Sequence, residues 1–267
     1  MGADTKQLRT RIRSVDSTLH LTRAMGLVAS SKIRRATERM NCGREYAAAF
    51  RGIVSQLCAC PECKNSPYMA QREGERTRLI VIAGDRGLAG GYNANIFRLA
   101  REYGEASFIP IGRRACDRFG GEMRGAESFS CGEAAELARA LCRDFLAGDF
   151  DRLGILYTRY HSMMSQEATV DWVLPLARSE GEVGRGILFE PDEATVLDAV
   201  IPEYVAGSIV AAVRESFASE VAARRFAMDS AGKNAQEMLD TLGLAYNRAR
   251  QSAITQEITE IVAGSGA

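Results

Sequence analysis

Residues 22–40 read TRAMGLVASSKIRRATERM, and small or apolar side chains recur along them at alternating steps of four and three. The pattern extends back to residue 8 and comprises Leu8, Ile12, Val15, Leu19, Thr22, Gly26, Ala29, Ile33, Ala36 and Met40. A period of about 3.5 residues is typical of a left-handed coiled-coil seam. Because residues 3–57 contain no proline, we predict a single helix over about 3–57.

A second seam lies at the other end of the chain, in a predicted helix over about 203–262 that also lacks proline. It comprises Phe217, Val221, Arg224, Met228, Ala231, Ala235, Met238, Leu242, Ala245 and Ala249, with Arg224 as the one interruption. At about 1.5 Å per residue the two helices are roughly 80 and 90 Å long. Gly26 and the alanines permit close backbone approach, and the returning chain favours antiparallel pairing. A self-paired homodimer is the alternative.

Four short apolar runs between the seams predict strands, at Leu79–Ala83, Phe108–Ile111, Gly154–Tyr157 and Val170–Leu174. Helices are predicted at about 93–103, 113–119 and 133–147, and loops at 62–75 and 179–185. Strands that alternate with helices indicate a small Rossmann-like α/β domain.

The predicted fold class is therefore α/β with a long antiparallel two-helix coiled coil. Its parts are an N-terminal coiled-coil helix (1–57), a loop (58–76), a Rossmann-like α/β domain (77–190), a connector (191–202) and a C-terminal coiled-coil helix (203–267).

The charge of the chain is unevenly distributed although its formal net value is zero. Residues 1–44 hold ten Lys or Arg against Asp4, Asp16 and Glu38. Such a basic helix suits nucleic acid, an anionic lipid surface or the acidic loops of a surrounding protein. Since aromatic residues do not interleave with the charges, we expect no nucleic acid. No apolar run resembles a membrane span or a signal peptide, so we expect any membrane association to run through partners.

The glycine-rich turn Gly84–Gly91 follows the first predicted strand. Its candidate residues are Asp85, Gly87, Gly90, Gly91 and Asn93. Glycines here suit a dinucleotide pyrophosphate, but the spacing is not G-x-G-x-x-G, and Arg113 and Arg114 follow the second strand where a ribose-binding acid is expected. The structural interpretation is a tight turn stabilised by Asp85 and Asn93. A Rossmann-type dinucleotide-binding protein remains the alternative.

Other enzyme and metal signatures are incomplete. His20 and His161, the two histidines, are far apart in sequence, and Gly232-Lys233 is followed by Asn234 instead of the Ser or Thr of a P-loop. Cys58, Cys60 and Cys63 give three thiols where a structural zinc needs four ligands, which favours a loop bearing free thiols. We expect no catalytic residue, no cofactor and no metal.

Some apolar residues leave the seams. Leu21, Met25 and Val28 lie roughly 60–100° from the first seam at about 100° per residue, so the partner helix alone does not cover them. Near the end of the chain Ile254, Ile258 and Ile261 also leave their stripe. These positions predict a second protein surface around the helices and an apolar socket for the C-terminal tip, with a three-helix core as the alternative.

Several stretches, in order along the chain, resemble the gamma subunit of the F-type ATP synthase. They are Ile12–Val15, Thr22–Lys32, Asp85–Gly91 with Asn93, Ala227–Ala235 and Tyr246–Val262. The resemblance covers both predicted helices and the glycine turn, whereas the middle of the α/β domain matches only loosely.

The resemblance implies a non-catalytic central stalk. In that family the subunit rotates inside a ring of three alpha and three beta subunits, whose beta subunits carry the catalytic sites, and couples proton flow through a c-ring to ATP synthesis or hydrolysis. It implies alpha, beta, epsilon and c-ring partners, and a peripheral location on the cytoplasmic face of the bacterial inner membrane.

The resemblance also implies particular contacts. Arg250 and Gln251 match residues that reach a beta subunit's catch loop, and Met25 lies where the stalk meets the beta subunits' acidic lever. Lys32, Arg34 and Arg35 are weaker candidates on the same track. The three isoleucines 254, 258 and 261 would form the apolar tip in the bearing of the ring. The cluster of Cys58, Cys60 and Cys63 is a departure from the family's pattern.

Overall fold

The computed structural model describes residues 2–70, 72, 74, 76–177 and 188–265. Two long helices flank an α/β segment in the chain. The elements are α1 (Gly2–Ala59), a 3₁₀ turn (Pro61–Asn65), β1 (Thr77–Ile82), α2 (Tyr92–Glu102), β2 (Ser107–Ile111), α3 (Arg113–Phe119), α4 (Cys131–Ala147), β3 (Arg152–Tyr160), β4 (Gln166–Leu174) and α5 (Glu193–Ser265). The four predicted strands and three short helices are confirmed, and the predicted loop at 179–185 lies outside the described residues.

The four strands form one mixed sheet in the order β2-β1-β3-β4. Strand β1 pairs in parallel with β2 and β3, whereas β4 runs antiparallel to β3. Ile80, at the centre, lies opposite Ile109 on one side and Ile155 on the other. The parallel pairs need crossover connections, which α2 and the α3–α4 segment supply.

Side chains alternate between the two faces of the sheet, as the two-residue period of a strand requires. One face carries Ile80, Ile82 and Ile155 into the larger core, with Leu57 of α1 and Phe145 of α4. The other face carries residues such as Leu79 and Val81 into a smaller core with α2 and α3. Helices on both faces of the sheet make this a three-layer α/β arrangement.

The chain divides into two compact units, which we describe separately. The helix-pair unit comprises Met1–Ser30 and Arg224–Ala267, and the α/β unit comprises Ser31–Ala223.

Within the helix-pair unit, the segments of α1 and α5 pack antiparallel. A Cβ placed on Gly26 would lie 3.7 Å from the Cβ of Met228, and one on Gly232 would lie 3.6 Å from Thr22 Oγ1. Residue numbers thus fall along one helix as they rise along the other. Leu19, Thr22, Gly26 and Ala29 of the first seam are buried. The predicted antiparallel pairing is confirmed within one chain, as opposed to a homodimer.

The second seam departs from its prediction at Met238, which is 45% exposed. Ala235 and Leu242 are buried, and Leu239 between them is half-buried. A straight helix with 3.6 residues per turn drifts by about 20° per heptad relative to a strict 3.5 repeat. The drift turns residue 238 outward and residue 239 inward.

Two predicted boundaries were wrong. Helix α5 begins at Glu193 instead of 203, because Asp192 caps its first turn by accepting hydrogen bonds from Thr195 N and Oγ1, both at 2.8 Å. The early turns include Pro202 and are held by the buried side chains of Leu197 and Ile201, so packing outweighs the proline. The loop predicted from 58 starts instead with the last helical residues of α1 and a 3₁₀ turn.

Helix α5 also contains a strongly apolar stretch, although no membrane span is predicted from the sequence. An 18-residue window of it has a mean hydropathy of 1.7, which by length and composition would suffice to cross a membrane. In the folded chain 61% of that window is buried, and the core helix of an ordinary globular domain passes the same test. The apolarity is accounted for by packing, since Leu197, Ile201 and Ile209 belong to the larger core.

Candidate functional site

The outer surface of the helix-pair unit carries exposed apolar side chains. Leu21 is 58% exposed and Val28 is 57% exposed, whereas Met25 is half-buried. The structure adds Leu27, 69% exposed, which the sequence analysis missed although it lies between residues it had singled out. Leu21 and Val28 are two turns apart on the same side of α1, and apolar side chains grouped in this way are typical of a protein contact.

A positively charged groove of about 490 Å³ lies between the two segments of the same unit. Its cationic side chains are Arg23, Arg225 and Lys233, and Asp229 is the one acidic residue in the lining. Arg23 donates to the Gln236 side chain (3.2 Å), and Arg225 donates to the Gly26 carbonyl oxygen (3.0 Å), so both hold the helices together. The groove keeps a net positive lining, which suits an acidic partner.

Towards its C-terminus α5 presents mostly exposed residues. Arg250 and Gln251 are exposed. The three isoleucines beyond them are 46%, 56% and 70% exposed in order (Ile254, Ile258 and Ile261). Val262, 63% exposed, joins them and was not predicted. Branched aliphatic side chains spaced by three and four on one helix form an apolar stripe that water does not favour.

The remaining predicted contact residues lie in the α/β unit. Lys32 Nζ donates to Glu127 Oε1 at 2.6 Å, an ion pair inside the chain. Arg34 pairs with Glu38 one turn further along α1 at 3.2 Å, with 79% of its side chain exposed. Arg35 is exposed. Lys32 is therefore the least available of the three for a partner.

The glycine turn is organised by the carboxylate of Asp85. Its Oδ1 accepts hydrogen bonds from the backbone N–H of Arg113 (3.0 Å) and of Ala126 (2.9 Å), and its Oδ2 accepts one from Glu127 N–H (2.9 Å). These amide groups are the donors that an anion would need at this edge of the sheet. A carboxylate from the chain itself occupies them, so the turn is built as a joint between β1, α3 and the segment before α4.

Asn93 completes the turn from the first residues of α2. Its Oδ1 accepts a hydrogen bond from Gly84 N–H at 2.9 Å, and its Nδ2 donates to the Arg86 carbonyl oxygen at 3.3 Å. Gly90 adopts a φ of 58°, which favours glycine, and Gly91 is the N-cap of α2. Gly87 lies beside Arg114: a Cβ placed on Gly87 would be 3.4 Å from the guanidinium of Arg114.

The three clustered thiols lie inside the larger core instead of on an open loop. Cys58, Cys60 and Cys63 are 3%, 4% and 0% exposed. Burial raises the pKa of all three thiols, that of Cys63 to about 11, so they stay protonated at neutral pH. They act as small apolar side chains that pack with neighbours such as Leu57. Within the described ranges, no group of three or more His, Cys, Asp or Glu residues is arranged to hold a metal.

Each histidine has a carboxylate neighbour. His20 Nε2 lies 3.8 Å from Asp16 one turn earlier on α1. His161 Nε2 lies 3.1 Å from Glu167 Oε2 across the β3–β4 turn. Both pairs are exposed and local, as expected for surface contacts.

The whole chain from residue 4 to residue 267 matches the family model described as ATP synthase. It is 41% identical to the ATP synthase gamma chain of Moorella thermoacetica, with 99% of both chains covered. The chain belongs to the ATP synthase gamma chain family. The ATP synthase gamma chain of Geobacter sp. strain M21 is 37% identical over 98% of both chains. These matches confirm the family predicted from the sequence. Gamma chains are subunits of the ATP synthase complex.

Solved structures confirm the fold of this gamma chain family member. A chain of the Euglena gracilis mitochondrial ATP synthase (OSCP/F1/c-ring) matches with a TM-score of 0.71 and 19% identity, covering 100% of this chain and 95% of that one. A chain of the Tetrahymena thermophila mitochondrial ATP synthase central stalk and c-ring matches with a TM-score of 0.59 and 20% identity, covering 79% and 99%. The predicted fold class is thus confirmed, and the comparisons do not support a dinucleotide-binding protein or a nucleic-acid or membrane tether.

Proposed function

We propose that this chain is the central stalk of a proton-translocating F-type ATP synthase, a non-catalytic subunit that rotates inside a ring of three alpha and three beta subunits. The catalytic sites in this proposal lie on the beta subunits. The observation that carries it is the surface of the helix-pair unit, where the seam is buried while Leu21, Leu27 and Val28 stay exposed. A two-helix unit with an uncovered apolar face is suited to turning within a protein sleeve.

The asymmetry of that surface supports a rotary mechanism. One part of the helix-pair unit is apolar at Leu21 and Val28, and another is the positively charged groove with Arg23 and Lys233. As such a surface turns, each surrounding subunit meets a different chemistry in succession. Differences in binding free energy then become differences in the conformation of the ring.

The proposed beta-subunit contacts are Met25, Arg34, Arg35, Arg250 and Gln251, with Lys32 as a sixth. Exposure supports the two arginines of α1 and the pair at 250 and 251. Lys32 has a weaker claim, because a contact with a beta subunit would compete with its ion pair to Glu127.

The proposed bearing contact is the apolar tip formed by Ile254, Ile258 and Ile261, with Val262 added. Burying such side chains in an apolar socket is worth about 1.5–3 kcal/mol each. The socket would centre the stalk without fixing its rotational angle, since aliphatic contacts have no direction.

The proposed partners are the alpha and beta subunits, the epsilon subunit and the c-ring. The names of the matched structures, which include F1, the c-ring and the central stalk, support this set. We place the chain on the cytoplasmic face of a bacterial inner membrane, attached through these partners. The bacterial sources of the similar gamma chains support that location.

The proposal is tested by mixing the chain with alpha and beta subunits and measuring assembly and ATP hydrolysis. We expect one copy per three alpha and three beta chains by native mass spectrometry, with no hydrolysis by the chain alone. An assembly that hydrolyses ATP equally well without the chain would contradict the proposal.

A matched pair of variants tests the contact residues. Arg250→Ala should lower the hydrolysis rate of the assembly, because a contact of this kind costs about 2 kcal/mol when it is a hot spot. Arg248→Ala removes another exposed arginine from the same helix and should leave the rate unchanged. Equal effects of both substitutions would remove Arg250 from the set.

A further inference from the structure

A cavity of about 900 Å³ lies in the α/β unit, between the strands β3 and β4 and the long helices α1 and α5. Small apolar, aromatic and charged side chains line it together. None of the residues proposed to contact the beta subunits or the bearing takes part in it. Its volume falls in the range of sites for small organic ligands, about 300–1,000 Å³.

Most of the charge in the lining is already balanced. Arg44 holds Glu215 through two hydrogen bonds, Nε to Oε2 at 3.1 Å and Nη2 to Oε1 at 2.7 Å. Arg159 Nη2 donates to Asp171 Oδ1 at 2.6 Å. These are the two acidic residues of the lining, and each is bound to its own arginine.

Arg51 is the third arginine of the lining and is exposed at the edge of the cavity. Its guanidinium lies beside the phenol of Tyr204, where it opposes the larger effect of burial that raises the pKa of that phenol. Within residues 2–70, 76–177 and 188–265, no carboxylate forms an ion pair with Arg51. The lining of the cavity therefore has a net positive charge, and that charge is on the guanidinium of Arg51.

The rest of the lining is suited to an apolar body. Ala47, Ala48 and Ala211 contribute only methyl groups, which leaves the space between the helices and the sheet open. Ile155 supplies an apolar side chain from β3, and Val173 of β4 supplies another. Inorganic phosphate would interact with Arg51 alone. An anion attached to an apolar body would also bury apolar surface against these side chains.

We propose that this cavity binds a small organic anion, a phosphate or carboxylate on an aromatic or other apolar body. Arg51 binds the anionic group, and the body packs on the alanines towards Ile155 and Val173. The site is independent of the contacts proposed for rotation and would be present in the full chain alone.

Binding is measured by isothermal titration calorimetry, because the indole of Trp172 packs against Tyr103 on the other face of the sheet and does not report on this cavity. The full chain is titrated with phenyl phosphate, with phenol and with inorganic phosphate, each up to about 10 mM, where a Kd of about 1 mM gives near saturation. We expect saturable binding of phenyl phosphate and at least about tenfold weaker binding of the other two, since each lacks one half of the interaction.

Two variants and a control assign the site. Arg51→Gln should weaken phenyl phosphate about tenfold, the loss expected for one hydrogen bond to a charged group. Ala48→Leu should also weaken it, because the larger side chain occupies the space for the body without changing the charge. Arg143→Gln, an exposed arginine on α4 outside the lining, should leave binding within about twofold.

Three outcomes would overturn the proposal. They are the absence of a saturable heat of binding with phenyl phosphate, binding by Arg51→Gln equal to that of the unaltered chain, and phenol binding as tightly as phenyl phosphate. Both substituted positions are exposed, and circular dichroism of each variant verifies that the fold is retained.

Discussion

The two units of this chain differ in how completely they bury their apolar side chains. In the α/β unit the central strands are sealed on both faces, and Leu79, Ile80 and Val81 are all 0% exposed. In the helix-pair unit one stripe is buried at Leu19 while Leu21, two residues later, is 58% exposed. The α/β unit satisfies its apolar side chains internally. The helix-pair unit leaves apolar side chains exposed. Their presence in the sequence is explained only if a partner protein covers them.

The largest effect is expected at Gly112 in the α/β unit, where the backbone leaves no room for a Cβ. Gly112 adopts a φ of 95°, and a Cβ there would overlap the carbonyl oxygen of Ala83. Gly112→Ala should lower the free energy of unfolding by more than about 3 kcal/mol, measured by urea denaturation.

Gly52→Ala is the control for this substitution. Gly52 lies inside α1, and a Cβ there meets nothing within 4 Å. This change should raise stability by about 0.5–1 kcal/mol, because alanine is the better helix former. Destabilisation of similar size at both positions would show that packing at Gly112 is not the cause.

The second effect concerns the joint at the glycine turn. Asp85→Ala leaves the amide groups of Arg113, Ala126 and Glu127 without their acceptor, and should cost about 2–3 kcal/mol in denaturation. Asp117→Ala, which removes an exposed carboxylate 4.0 Å from Arg114, should cost less than about 0.5 kcal/mol. A small cost for both would mean that water replaces Asp85 as the acceptor.

The third effect separates the two sides of the helix pair. Leu19→Ala should destabilise the helix-pair unit by about 2 kcal/mol, because it deletes a buried seam side chain. Leu21→Ala should change its stability by less than about 0.5 kcal/mol. Hydrogen exchange of the amides of residues 5–30 measures both in the isolated chain, and equal effects would mean that Leu21 is covered within the chain itself.

The smallest effect is a pH dependence at the start of α4. Glu133 accepts hydrogen bonds from Ser130 N (2.8 Å) and Oγ (2.7 Å), which lowers the pKa of its carboxyl below the ordinary 4.5. A carboxyl group whose pKa is lower in the folded state than in the unfolded state stabilises the fold at pH values above its unfolded-state pKa. This stabilisation is lost as the pH falls through the folded-state pKa. The stability difference between the unaltered chain and Glu133→Gln should therefore shrink as pH is lowered below 4.5. A difference independent of pH would exclude the carboxylate as its source.

Much of the fold could be predicted because its signals are local. The four-and-three spacing from Leu8 to Met40 identified the buried side of α1, and the apolar runs identified all four strands. Errors came where tertiary packing overrides local preference. Pro202 stands inside α5 because Leu197 and Ile201 hold that turn in the core, and no local pattern carries that information.

The candidate site was less predictable for the same reason. The off-seam positions of Leu21 and Val28 could be calculated from helical periodicity. The pairing of Lys32 with Glu127, 95 residues away, could not, since it depends on where Asp85 holds the segment before α4. The cavity beside Arg51 combines residues from four elements and leaves no motif in the sequence.

The most direct test of a rotating stalk is to watch this chain turn. A bead is attached to Cys131, exposed on α4, in a Cys42→Ser variant that removes the other exposed thiol. The chain is assembled with alpha and beta subunits fixed to a surface and supplied with ATP. We predict rotation of the bead in one direction, at a rate tied to hydrolysis. Hydrolysis at the normal rate with a stationary bead would contradict the rotary role.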